Sequence, residues 1–131
     1  LAKAKKHPKL KTHDTQEKPV VLVKNKESDQ THLILGVRSY PITHKSSPVL
    51  AVLSAVLGGG MSSRLFQKVR TEMGLGYYVR SANDAYTDHG VFVASAGVVN
   101  NRAVEAVEAI LNEFKLLKTE LVPKEELQKI R

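Results

Sequence analysis

Apolar positions along this chain fall either into short β-branched runs or into stripes at helical spacing, and the alternation between the two lays out the elements. Val20-Val21-Leu22-Val23 after Pro19 reads as a strand, and Thr31 to Val37, with Leu33, Ile34 and Leu35, reads as a second. Ser46-Ser47-Pro48 then leads into the apolar run Val49 to Leu57, which Gly58-Gly59-Gly60 ends. Serine before, proline in the first turn and glycine after the last are helix punctuation, and the nearly all-apolar run predicts a buried helix. Met61-Ser62-Ser63 opens a second helix, with Leu65, Phe66, Val69 and Met73 on one face, Arg64, Lys68 and Arg70 off its centre, and Gly74 as its stop.

Tyr77 to Tyr86 and Gly90 to Val98 are extended segments, and the turn composition Thr87-Asp88-His89-Gly90 between them predicts a hairpin. Asn100 or Asn101 caps a third helix, in which Val104, Val107, Leu111, Phe114 and Leu117 recur at three or four residues. Pro123 begins a fourth helical segment of about two turns. The predicted order is ββααββαα: an α+β domain with an antiparallel or mixed β-sheet and helices packed on one face. Strand residues Leu33, Leu35, Val91 and Phe92 are candidates for exposure and hence for homodimer formation.

Length and charge narrow this further. At 131 residues the chain has the size of one compact domain. Of its net charge of +7, +6 lies in residues 1–26, which leaves a nearly neutral remainder. Residues 1–18 therefore read as a basic, flexible linker or tail, and residues 19–131 as a partial domain, with the short last helix pointing to a piece of a longer protein. The tail lacks the arginine and aromatic residues that read or stack on bases, so it is a poor nucleic-acid footprint. A role for it in anion binding would show as salt-dependent binding lost with residues 1–18. No apolar run approaches a membrane span and no signal peptide is visible at the start, so a soluble protein with no membrane partner is expected; the compartment stays open.

With no cysteine there is no disulfide framework, thiolate nucleophile or Cys-ligated metal. The five histidines, His7, His13, His32, His44 and His89, show neither i, i+4 pairing nor an H-E-x-x-H or H-x-x-E-H signature, so no metal site is expected in this chain. Gly60-Met61-Ser62-Ser63 is not the G-x-S-x-G elbow of a serine hydrolase. Gly58, Gly59, Gly60 and Ser62 could present backbone N–H groups to an anion, but the G-x-x-x-x-G-K-S/T and G-x-G-x-x-G patterns are absent. A chain reversal between two helices is the commoner use of such a run.

The stretch Leu57-Gly-Gly-Gly-Met-Ser-Ser-Arg-Leu-Phe-Gln-Lys-Val-Arg70, followed by Thr71-Glu-Met-Gly-Leu-Gly-Tyr77-Tyr78, resembles the pitrilysin, insulinase and mitochondrial processing peptidase family of zinc peptidases, the inverzincins. The resemblance covers residues 19–131 and is to the non-catalytic domain that follows the zinc domain, or to a partner subunit. It implies a half-domain of the LuxS/processing-peptidase type that binds no zinc itself, with zinc held by the H-x-x-E-H helix of a complementary catalytic domain or subunit. It further implies that Arg70 and Tyr77 hold an extended peptide substrate opposite that zinc. The residue types suit this, since a guanidinium and a phenol are both donors for a peptide carbonyl or its oxyanion. Taken without the resemblance, Arg70 is a cation at a helix C-terminus and Tyr77 a packed strand residue. Tyr78 competes for the role, because one residue of register reverses the face. The alternative is a non-catalytic structural or assembly subunit of the same family.

Overall fold

The computed structural model describes residues 8–13, 15–24 and 26–130. In chain order they form β1 (Gln30–Ser39), α1 (Ser47–Gly58), a π-helix (Phe66–Glu72), β2 (Gly76–Ala85), β3 (Gly90–Val99), a 3-10 turn (Asn100–Arg102), α2 (Ala103–Thr119) and α3 (Lys124–Gln128). The sheet is antiparallel throughout, in the order β1-β3-β2, so the expected α+β architecture stands and the mixed alternative falls away. β2 and β3 make the expected hairpin, closed where Tyr86 N–H donates to the His89 carbonyl.

Period-two alternation gives the sheet two unlike faces. Val79 of β2 and Phe92, Ala94, Ala96 and Val98 of β3 are buried beneath the helices, with Leu33 and Leu35 of β1 packed against the same cluster. Leu57, Leu65, Val69, Leu75, Ala106 and Ile110 complete this core from the helical layer. Leu33, Leu35 and Phe92 therefore face the core rather than solvent; on β1 it is Ile34 and Val37 that are exposed. The central strand β3 is paired on both sides, which is why it carries the longest buried run.

Five further expectations change. Val20–Val23 forms no strand and is 76–84% exposed at its valines: with no ladder partner among the described residues, an extended run gains neither hydrogen bonds nor burial. The first half therefore supplies one strand, not two. The helix after Ser63 widens into a π-helix, with Met73 N–H bonded to the Lys68 carbonyl. In α1 only Val56, Leu57 and Gly58 are buried, because one side of the helix lies on β2 and nothing described covers Val49 and Val52. In α2 the buried stripe is Ala106, Ala109, Ile110 and Glu113, which turns Val104 and Leu111 outward while Phe114 and Leu117 stay against the core. Neither Asn100 nor Asn101 caps α2 through its side chain. Asn100 instead joins β1 to β3, accepting from Thr31 and donating to the Ser28 carbonyl.

Candidate functional site

Arg70 and Tyr77 stand on either side of a pinned connection. The π-helix ends at Gly74, whose φ of +60° is the left-handed conformation that glycine adopts without a Cβ penalty. Leu75 N–H then donates to the Val69 carbonyl at 2.9 Å, and the Leu75 side chain is 1% exposed. Arg102 donates to the Met73 carbonyl at 3.1 Å from the start of α2. Backbone, core and a neighbouring cation thus all fix the segment between the two residues.

Arg70 lies in the last turn of the π-helix, exposed, with its guanidinium 5.0 Å from the centre of the Phe66 ring. That contact orients the planar group without using any of its N–H donors. Tyr77 sits in a β-bulge: pairing passes from Gly76 opposite Val98 to Tyr78 opposite Gly97, leaving Tyr77 as the extra residue. A bulge bends the strand and re-aims the side chain it carries. The Tyr77 side chain is 57% exposed, and no partner of its hydroxyl occurs among the described residues.

Tyr78, the rival in sequence, is differently employed. Its hydroxyl is 3.1 Å from His32 Nδ1, the two rings stack at 5.9 Å, and the Arg80 guanidinium lies 6.0 Å from the Tyr78 ring centre. Tyr78 and Arg80 share a sheet face by period-two alternation, a signal present in the sequence; that His32 joins them depends on strand order.

The glycine run divides by role. Gly58 is buried where α1 meets β2, and a Cβ there would lie 2.3 Å from Ser81 N. Gly59, Gly60 and Ser62 line a cleft of about 440 Å³ together with Glu125, Glu126 and Lys129 of the last segment. Of the charged groups on that cleft, Glu126 is bonded to Arg64, and the run forms the turn that follows α1.

Beside it lies an ion-pair cluster that local sequence signals do not disclose. Arg64 donates two 2.8 Å hydrogen bonds to the Glu126 carboxylate, from Nε and from Nη2, and so ties the start of the π-helical segment to α3. This bond raises the Arg64 pKa above its ordinary value. Glu113 of α2, 7% exposed, is pushed up by burial against the opposing pull of Arg64 and Lys68.

The histidines do not converge. His32 meets Tyr78, His44 stacks on Tyr40 at 3.9 Å, and His89 lies between Tyr86 and Asp88. His7 and part of the basic tail lie outside the described residues. Among the described residues no three His, Cys, Asp or Glu side chains gather as metal ligands. This donor set does not fit a catalytic zinc ion, which takes three protein ligands at one point. Among the described residues no helix is long and apolar enough to cross a membrane.

Residues 2–131 match the family model described as the peptidase M16 inactive domain. An uncharacterized zinc protease of Bacillus subtilis, YmxG, is 38% identical over 107 residues, covering 82% of this chain and 26% of that protein. An uncharacterized zinc protease of Mycobacterium leprae is 35% identical over 103 residues, covering 79% of this chain and 23% of its own length. The chain thus spans about a quarter of the length of these relatives. Among solved structures, a protease from Helicobacter pylori superposes with a TM-score of 0.71 at 28% identity, covering 79% of this chain and 25% of that one. A peptidase M16 inactive domain from Pseudomonas fluorescens superposes with a TM-score of 0.75 at 22% identity, with the same coverage, and shows the shared fold.

Proposed function

This chain belongs to the peptidase M16 family, whose inactive domain it forms, and on that premise we propose that it holds an extended peptide opposite the zinc of a separate catalytic domain. Arg70 and Tyr77 are the donors in this reading. The observation that carries it is the contrast between the two adjacent tyrosines: Tyr78 is engaged by His32, whereas Tyr77 is set out by a bulge, its hydroxyl without a partner among the described residues, beside a pinned connection to Arg70. Donors held in place before the reaction stabilise developing oxyanion charge without reorganising, and each such donor is worth about 3 kcal/mol. The outer edge of β2, which begins next to Tyr77, pairs with no other strand among the described residues, and in this reading an extended peptide adds to it as a further strand. Zinc supplies its chemistry from the complementary domain or subunit, and the present chain supplies binding and orientation.

The test is cleavage of an unfolded peptide by the full-length protease or by the reassembled pair of subunits. Arg70→Ala and Tyr77→Phe are expected to lower kcat/KM at least tenfold with the fold retained, and Tyr78→Phe to have a smaller effect. Activity insensitive to the first two would sink the substrate-holding role and favour the structural, assembly-subunit reading.

A further inference from the structure

The sheet face turned away from the helices is ordered in transverse rows by the strand register. His32, Gly97 and Tyr78 form one row, Ile34, Ser95 and Arg80 the next. Because Gly97 has no side chain, the Tyr78 ring lies directly on the central strand and reaches His32 from the far side of it. In the second row Arg80 donates from Nε to Ser95 Oγ at 3.2 Å, while its guanidinium rests over the Tyr78 ring. Two contacts thus fix the plane of an exposed guanidinium, and its Nη groups have no partner among the described residues. The Tyr78 hydroxyl and His32 Nδ1, 3.1 Å apart, set a second polar pair beside this guanidinium. The acid on this face of β2, Asp84, is four residues along the strand from Arg80, about 13 Å at the strand rise, and does not neutralise it.

A planar fork of N–H donors, oriented in advance and with no acidic partner among the described residues, is built for a carboxylate. We infer that the uncovered sheet face binds an acidic side chain, Asp or Glu, of an extended peptide, through the Arg80 fork flanked by the His32–Tyr78 pair. This rests on the reading that the domain holds peptides at Tyr77: Tyr78 and Arg80 follow Tyr77 on the same strand, so a peptide passing Tyr77 in mid-chain brings a neighbouring side chain over them. That geometry favours a side chain over a chain terminus. It makes Arg80 a determinant of which peptides are held, in addition to the residues that would meet the scissile bond.

The experiment is equilibrium binding of fluorescein-labelled, C-terminally amidated decapeptides to the full-length protein in a chelator, which prevents cleavage, followed by anisotropy. Each peptide carries one Asp, scanned along its length, and is compared with its Asn counterpart. At one or two positions the Asp peptide should bind at least fivefold tighter, with the preference shrinking as salt rises. Arg80→Gln should abolish it while binding of the Asn peptides is unchanged, Arg80→Lys should keep part of it, and Tyr78→Phe should reduce it about threefold. Tight binding without an Asp preference overturns the inference and leaves peptide holding intact. Failure of every peptide to bind overturns both. A preference seen only when the C-terminus is a free carboxylate, and not for internal Asp, overturns the assignment to a side chain.

Discussion

The Tyr78 hydroxyl stands 3.1 Å from His32 Nδ1 although the two residues lie on the outer strands of the sheet, with Gly97 of the central strand between them. Only a residue without a side chain in the middle permits the approach, since a Cβ built on Gly97 would be 2.5 Å from Tyr78 Cε1.

Gly97→Ala should therefore lower stability by about 1–3 kcal/mol, the usual range for overfilling a tight site. Tyr78→Ala in the same chain should recover part of that loss by removing the ring. Thermal unfolding of the single and double variants is the measurement, and a Gly97→Ala protein as stable as wild type would show that the ring moves aside freely.

Within the glycine run, position matters more than residue type. Gly58→Ala places a methyl group against backbone, 2.3 Å from Ser81 N, so α1 must lift from β2 and strain the 2.6 Å bond from Ser81 Oγ to the Ser54 carbonyl. A loss of about 2 kcal/mol or more in urea unfolding is expected. Gly60→Ala has nothing within 4 Å of its new atom and should stay within about 0.5 kcal/mol of wild type.

Arg64 and Glu126 couple the segment after α1 to the chain's last helix through a bidentate pair whose side chains are 16% and 23% exposed. A double-mutant cycle with Arg64→Ala and Glu126→Ala should yield a coupling energy of about 1–2 kcal/mol, weaker in high salt. Additive effects in the cycle would mean that the pair holds nothing in place.

The pH dependence carried by Glu113 has a definite sign. Burial raises its folded pKa above the ordinary carboxylate value, so between those two values the folded state binds more protons than the unfolded. Its contribution is fully favourable at and below the ordinary value and is lost as pH rises through the folded one. Glu113→Gln should flatten that part of the stability profile and leave the protein more stable near pH 7. Unfolding at pH 5 and at pH 7 decides it; a larger gain at the lower pH would contradict the assignment.

Much of the architecture is legible from local pattern. The Tyr77–Tyr86 and Gly90–Val98 segments, the turn at Asp88-His89 and the helix stops at Gly58 and Gly74 all follow from alternation and turn chemistry, which act over a few residues. Val20–Val23 has the composition of a strand yet forms none, because pairing belongs to the sheet and not to the run. Val104 and Leu111 fit a helical stripe but lie one position off the buried one, a rotation of α2 that only its packing partners define. The glycine run, the S-S-R-L-F sequence and the Arg70–Tyr77 spacing carried the family resemblance, and the matched family model agrees with it.

By itself, then, the sequence determined the α+β class, the hairpin and the motif that carries the family resemblance, since each rests on neighbours within one element or one motif; Arg70 and Tyr77 were singled out through that resemblance. Tertiary structure alone decided that Tyr78 rather than Tyr77 pairs with His32, that Arg80 is set by Ser95 on the sheet face away from the helices, and that Arg64 reaches Glu126 across 62 residues of chain. The first two depend on the strand order β1-β3-β2, on a bulge that shifts register at Tyr77 and on the absence of a side chain at Gly97; the third depends on where α3 packs. Each brings together residues far apart in the chain, where spacing along the sequence carries no information about distance.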